Sequence, residues 1–283
     1  AERATQAALN YAKERKQGRR PGSEEPASII EHPNVHRMLM EMKAHTIIAR
    51  ALCAATGLAL DLSDNPDLSF YETQKMRADF LTPLAKAYST DIGFEVASLG
   101  VQVHGGVGYV EETGAAQYLR DARILSIYEG TNGIQALDFL TRKLSLGGGE
   151  FVKSFLEELE TICREANASA DESISPLGKM HGHHVGALAV ASEKMLQLLG
   201  DKSEQAFYNA TDFARAFASV TGACFVLRGI LLQHTQEAPQ SAQFEDYKKF
   251  ITYYVAKILP ISEALLSDIG NETLGAWRQN PFA

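Results

Sequence analysis

Apolar side chains recur along this chain at intervals of three and four. Ala4, Ala8 and Tyr11 fall one turn apart, with Arg15 next in the series, and Val35, Leu39, Met42, Thr46, Ala49 and Cys53 step in the same way. That period puts each set on one face of an α-helix. The second set predicts a helix from Val35 to Leu62, stopped by Ser63-Asp64-Asn65-Pro66. Another long helix is expected from Phe70 to Leu99, kinked or locally broken at Pro83, because proline lacks the N–H donor and clashes with the preceding turn. Shorter helices follow at Thr113 to Ala122 and Asn132 to Leu144. Beyond them the pattern continues over Glu150 to Ala168, Asp171 to Leu199, Lys202 to Gln233 and Gln243 to Asp268, the last two separated by Glu237 to Ser241. Alternating β-branched runs bounded by turns do not recur. The predicted fold class is all-α, as two helical bundles.

Punctuation between these segments sets the domain organisation. Gly18 to Pro26 is polar and contains Gly and Pro, which a helix interior does not tolerate, so a loop is expected. Gly147-Gly148-Gly149 is the best boundary, since consecutive glycines carry a large backbone entropy cost inside any element. It divides the chain into residues 1–146 and a helical extension, residues 150–283. The first helical series has no Ser, Thr, Asp or Asn placed as a starting cap, which reads as a chain whose upstream part is missing. The tail from Trp277 to Ala283 is expected to fray.

Composition narrows the function classes. The chain has 283 residues, 45% of them hydrophobic, enough for a sizeable core, so disorder is excluded as the main state. Its 27 Lys and Arg against 35 Asp and Glu leave a formal charge of −8. A broad nucleic-acid surface needs a basic face to displace counterions, so nucleic acid is not an expected partner. No uninterrupted apolar run approaches the roughly 18 to 20 residues that cross a bilayer, and no charged-then-apolar leader opens the chain; a soluble protein without a membrane span is expected. Cys53, Cys163 and Cys224 are widely spaced and read as reduced thiols, neither a disulfide framework nor a zinc site.

The densest unusual segment is Gln102 to Gln135, with two glycine-rich turns. In the first, Gln102-x-His104-Gly105-Gly106-x-Gly108-Tyr109 ends a long helix and offers backbone N–H groups unobstructed by Cβ atoms, which suits a pyrophosphate. From glycine spacing alone a plain C-cap and turn is the stronger reading. In the second, Ile127-Tyr128-Glu129-Gly130-Thr131-Asn132 leads into a helix, with Thr131 or Asn132 as its N-cap. Glu129 sits just ahead of that start. A carboxylate there suits either a solvated position favoured by the helix dipole or a base tuned by burial.

The two motifs together, QxHGGxGY and YLRDARxxxIYEGTN, resemble the carboxy-terminal helical domain of the acyl-CoA dehydrogenases, flavoproteins that desaturate acyl-CoA thioesters. Tyr11-Ala12-Lys13-Glu14-Arg15 resembles the first helix of that domain, and the resemblance covers about residues 1–146. His32-Pro33-Asn34-Val35-His36-Arg37-Met38-Leu39-Met40 and the extension after Gly149 are similar to the longer bacterial members. The resemblance implies that Glu129 removes the α-proton of the thioester while FAD accepts the β-hydrogen as hydride. A thioester α-C–H is a weak acid, so such a base has to be close and partly desolvated, with the thioester oxygen polarised by hydrogen bonds. By the same resemblance Tyr128 and Gly130 lie at the thioester, and Thr131 contacts FAD. Arg15 matches an arginine that reaches the FAD pyrophosphate of a neighbouring subunit, where a planar guanidinium fork suits phosphate oxygens. Gln102, Gly105 and Gly106 match the segment that cradles the adenosine end across the same interface, implying a homodimer or higher homo-oligomer. An electron-transfer flavoprotein is the implied electron acceptor, and a bacterial cytoplasm the implied location.

The match has departures. Many relatives carry a Gln near the position of Pro33 and another where this chain has Gly133, so those FAD contacts are not carried over. The family's amino-terminal helical domain and central β-domain are not in this sequence, so the chain alone is expected to bind FAD weakly or not at all and to show no turnover. Two other function classes compete: a non-catalytic helical oligomerisation module, which would be expected to lose Glu129, and a DNA-binding alkylation-response relative, which calls for a basic surface that residues 150–283 lack. His181-x-His183-His184 is read as a polar helix surface, because adjacent histidines on a helix point in different directions and no carboxylate or cysteine completes a compact set; no metal is expected. Lys13, Arg15, Lys16, Arg19 and Arg20 form a small basic patch that suits either phosphate binding or plain solvation, and only the resemblance at Arg15 favours a cofactor phosphate. Phe207, Phe213, Phe217 and Phe225 are spaced for helix faces and read as core or interface.

Overall fold

The computed structural model describes residues 1–20, 22, 24–67, 69–235 and 242–269, and these form an almost wholly helical chain. The expected separator from Glu237 to Ser241 and the expected frayed tail lie outside the described residues. Two compact units emerge, one made of Ala1–Arg50 and Ser89–Glu129, the other of Ala51–Tyr88 and the chain from Gly130 onward. The long helices α2 (Pro33–Ser63) and α3 (Tyr71–His104) each give one half of their length to each unit. The spatial division is therefore interleaved, whereas the triglycine cut divides the chain in sequence.

In the first unit α1 (Glu2–Glu14) buries a stripe of small residues, Ala4, Thr5, Ala8 and Ala12. Small side chains allow close helix approach: Thr5 and Thr46 hydroxyls meet at 3.4 Å, and a Cβ added at Gly100 of α3 would touch Met42 and Ala4. Gly18 to Pro26, expected as a loop, has its two ends in short antiparallel strands, β1 (Lys16–Arg19) and β2 (Pro26–Ser28), pairing Lys16 with Ser28 and Arg19 with Pro26. Gly and Pro exclude a helix there but leave a two-stranded ribbon open. Beyond α3 come a single turn α4 (Gly106–Tyr109) and α5 (Ala115–Leu125).

The second unit carries the larger core. Phe80, fully buried on α3, meets Phe139, Phe151, Phe155 and Phe217 at ring-centroid separations of 5.1 to 5.4 Å. Such tilted and edge-to-face pairs add roughly 0.5 to 1.5 kcal/mol each beyond the area they bury. Phe213 and Phe217 lie in this core as expected, whereas Phe207 is exposed. Arg77 forks onto Glu158 at 2.6 and 3.0 Å while its guanidinium lies over Phe155 and Phe225. The tyrosines Tyr88 and Tyr254 share a hydrogen bond, and Ser219 reaches the Tyr254 hydroxyl at 2.7 Å, so these three buried hydroxyls are paired.

Several expected helices are divided. α3 runs through Pro83 without interruption. α6 (Asn132–Asp138) passes into a π-helical turn at Phe139–Lys143. After the triglycine, whose residues all have positive φ, come α7 (Glu150–Asn167) and α8 (Ser175–Gly200). The pattern from 202 to 233 splits at buried Asn209 into α9 (Glu204–Tyr208) and α10 (Ala210–Thr235), and the last into α11 (Ala242–Lys257) and α12 (Leu259–Ser267), with Pro260 in the first turn of α12, where its missing N–H costs no helical bond. Averaged over a window, Pro33–Ser63, Ala210–His234 and Glu245–Ser267 are long and apolar enough to cross a membrane, a property that counting uninterrupted runs missed.

The α7 and α8 crossing depends on one missing side chain. A Cβ at Gly178 would fall 2.7 Å from both the Ala166 carbonyl carbon and the Cys163 oxygen, and closer still to the Asn167 nitrogen. These are backbone atoms at the end of a helix and have little room to give. Gly178→Ala is expected to lower stability by at least about 2 kcal/mol, read as a shifted denaturant midpoint; an unchanged midpoint would refute the close crossing.

Candidate functional site

The first glycine turn closes α3. His104 donates from Nδ1 to the Gly100 carbonyl at 2.7 Å and stacks on Tyr11 with ring centroids 4.6 Å apart. Gly105 then takes φ +65°, ψ −144°, a conformation that only glycine adopts without strain. Gly108 has no room for a side chain, because its Cβ would come within 2.6 Å of Val101 O and the His104 Cβ. Thr113 ties the loop by donating to the Val107 carbonyl at 2.8 Å. A Cβ at Gly105 or Gly106 would meet nothing within 4 Å, so at Gly106, where φ is not positive, nothing inside the chain demands a glycine. Both backbone positions are open to an incoming group.

A cavity of about 430 Å³ opens beside this turn, lined among others by Tyr11, Arg15, Gln17, His32, His104 and Gly105. It brings together two residues that the sequence singled out, Arg15 and Gly105. Arg15 is the residue after α1, exposed, and among the described residues its guanidinium makes no ion pair. Gln102 and Gly106 are exposed nearby in sequence but do not line the cavity. His32, which donates from Nε2 to the Gln17 carbonyl at 2.6 Å, forms part of the wall and was missed as a lining residue. Only pairing of β1 with β2 carries Gln17 and His32 to one place.

The second turn carries Glu129. Its backbone is left-handed, with φ 53°, followed by Gly130 at φ 84°. A non-glycine residue in that region costs roughly 1 to 3 kcal/mol and persists only where its surroundings impose it. Thr131 is the N-cap of α6: its Oγ1 accepts from the Ile134 N–H at 3.4 Å, and its carbonyl accepts from Gln135 at 3.0 Å. In the second unit the Lys86 ammonium donates to the Gly130 carbonyl at 2.7 Å and to Asn132 Oδ1 at 2.8 Å, while Asn132 Nδ2 donates to the Ala87 carbonyl at 3.0 Å. Lys86 lies far away in sequence and was not anticipated. Glu129 itself is exposed, as are Ile127, Tyr128 and Ile134 around it. Within this chain the residue is open to solvent.

Of the α8 histidines read as a polar surface, only His183 is exposed. His181 and His184 are buried; burial pushes the His181 imidazole down to about 4 and lowers His184 as well. Glu263 of α12 supplies the carboxylate that the local sequence lacked: His183 Nε2 lies 3.0 Å and His184 Nδ1 3.4 Å from its oxygens. Cys163 and Cys224 come together as buried free thiols, their hydrogen bond and burial raising the Cys224 thiol well above its ordinary value.

An all-α chain with a glycine-closed helix end, a cavity beside Arg15 and a strained acidic turn ahead of a capped helix defines the class of helical-bundle domains. Comparison with known proteins gives the family. Residues 1–144 match the model of the acyl-CoA dehydrogenase C-terminal domain, and residues 155–276 match that of the acetyl-CoA dehydrogenase C-terminal-like domain. The chain belongs to the acyl-CoA dehydrogenase family. It is 44% identical over 219 residues to 3-methylmercaptopropionyl-CoA dehydrogenase of Ruegeria pomeroyi, covering 75% of this chain and 36% of that protein, and 36% identical over 158 residues to a butyryl-CoA dehydrogenase of Syntrophomonas wolfei, covering 54% and 26%. It thus spans about a third of the length of these relatives. Its fold is similar to Bacillus anthracis acyl-CoA dehydrogenase, solved complexed with FAD, at TM-score 0.71 and 19% identity over 94% of this chain and 44% of that one. It is also similar to Caenorhabditis elegans ACDH-11, solved in complex with C11-CoA, at TM-score 0.69 and 22% identity over 99% and 45%.

Replacing Lys86 by Met keeps the apolar stem and removes both donated bonds. The variant is expected to lose about 1 to 3 kcal/mol and to speed amide hydrogen exchange in the first turn of α6, with exchange elsewhere in the core unchanged. Unaltered exchange there would mean that Lys86 does not hold the turn.

Proposed function

We propose that this chain is the carboxy-terminal portion of a flavin-dependent enzyme that desaturates an acyl-CoA thioester between its α and β carbons, with Glu129 as the base that takes the α-proton. The observation that carries this reading is the left-handed backbone at Glu129, a local strain that chain continuity does not require and that sets one carboxylate at the bend before a capped helix. A module kept only for oligomerisation gains nothing from it. Tyr128 and Gly130 flank the carboxylate and are assigned to the thioester, whose oxygen the Glu129 N–H would polarise as negative charge develops.

The cofactor implied is FAD, which when bound supplies the acceptor for the β-hydride. The residues present suit its phosphate end: Arg15 offers a planar fork that makes no ion pair among the described residues, Gly105 lines the same cavity, and Gly106, next in sequence, leaves its backbone open. Gln102 and Thr131 are assigned to the cofactor by their motif positions. Arg15 and the glycine turn would serve the FAD of a neighbouring subunit, making the enzyme a homodimer or larger. An electron-transfer flavoprotein is the proposed oxidant of the reduced enzyme, and the bacterial cytoplasm its location. We divide the chain into a dehydrogenase domain, residues 1–146, and an extension, residues 150–283. Because Glu129 is exposed here, the walls that desolvate it belong to other domains, and the 283-residue chain alone is expected to retain little FAD and show no turnover.

The test joins this chain to its family's amino-terminal and β-domains, confirms flavin absorbance, and follows bleaching by a panel that includes 3-methylmercaptopropionyl-CoA and butyryl-CoA. Glu129→Gln should slow bleaching by at least about 100-fold with bound flavin unchanged. Bleaching at the parental rate would remove Glu129 as the base.

A further inference from the structure

Outside the dehydrogenase motifs, the second unit gathers two imidazoles and a carboxylate from helices α8 and α12. One ligand atom each from His183, His184 and Glu263 lies within 4.8 Å of the others. Glu263 Oε1 is 3.0 Å from His183 Nε2, and Oε2 is 3.4 Å from His184 Nδ1. Adjacent helical residues point about 100° apart, yet the two rings turn towards the gap where Glu263 arrives, with centroids 5.3 Å apart and planes at 67°.

A His–Glu ion pair accounts for only part of this arrangement. His183 Nε2 already sits on both carboxylate oxygens, at 3.0 and 3.1 Å. His184 Nδ1 is out of solvent and makes no hydrogen bond although the carboxylate is beside it. A buried polar atom left unpaired costs about 1 to 3 kcal/mol, and a cation held between this nitrogen and the carboxylate would satisfy both. The spacing agrees. Ligands about 2.0 to 2.1 Å from a tetrahedral ion stand about 3.3 Å from one another, and the single oxygen Glu263 Oε2 lies 3.1 Å from His183 Nε2 and 3.4 Å from His184 Nδ1.

We propose that His183, His184 and Glu263 form a binding site for a divalent transition-metal ion of the zinc class. Two imidazole nitrogens disfavour magnesium and calcium, which take oxygen ligands, and suit zinc or cobalt. Burial keeps His184 from moving, with a side chain 7% exposed, while His183 at 66% and Glu263 at 39% leave a side open for a water as fourth ligand. The ion would cross-link α8 to α12 and stabilise the folded extension by mass action.

The experiment uses the full chain, tag-free and chelator-treated, titrated with cobalt(II) under visible absorption and then with zinc. One cobalt per chain should give four-coordinate d–d bands without a thiolate charge-transfer band, and zinc should abolish them and raise the thermal midpoint. His183→Asn, at an exposed position, and Glu263→Gln, at a half-buried one, should each weaken binding at least about tenfold and remove the zinc-induced shift, while Cys53→Ser should leave the titration as it was. Absent d–d bands, a thiolate band, or an affinity unchanged in the two ligand variants would each overturn the site.

Discussion

A lysine ammonium has three N–H donors and loses little by leaving water only if good acceptors replace it. Lys86 finds two of them at the start of α6, the Gly130 carbonyl and the Asn132 side chain, and Asn132 is in turn anchored to the Ala87 carbonyl one residue along from the lysine. This closed set of bonds, with the Thr131 cap, fixes where α6 begins and hence the direction from which Glu129 enters it. Left-handed backbone at a glutamate is unfavourable alone. It survives where the peptide that follows is held on its far side by charge-assisted bonds, which are stronger than neutral ones.

The two units solve different packing problems. The first uses small residues: Ala4, Ala8, Ala12 and Gly100 allow close helix contact, and the resulting frame carries the Tyr11–His104 stack that forms a wall of the cavity beside Arg15. The second uses aromatic bulk around Phe80, giving the rigid body from which the Lys86 bonds arise.

Much of the helical fold was legible in the sequence, since amphipathic period and breakers are local signals. The ends of α2 and α7 lie within a few residues of where Val35, Ser63, Glu150 and Ala168 suggested. The breaks at Asn209 and Ile258 were missed: Pro260 did mark the second, but apolar periodicity continued across both. The ribbon of β1 and β2 was missed because its four- and three-residue strands carry too little alternation to register. Of the candidate site, Arg15, Gly105, Gly106, Glu129 and Thr131 were readable as motif positions, while Lys86, Asn132 and His32 had no signal beyond their residue type.

The sequence by itself determined the family, the all-α class and the identity of the acidic turn, because helix period and a long motif are written in neighbouring residues. Tertiary structure decided which distant groups meet: Lys86 with Gly130, Gln17 with His32, and His183 and His184 with Glu263. A hydrogen bond or a metal-ligand edge is effective only within about 3 Å or so, and separations of 15 to 80 residues along the chain are brought to that range only by packing.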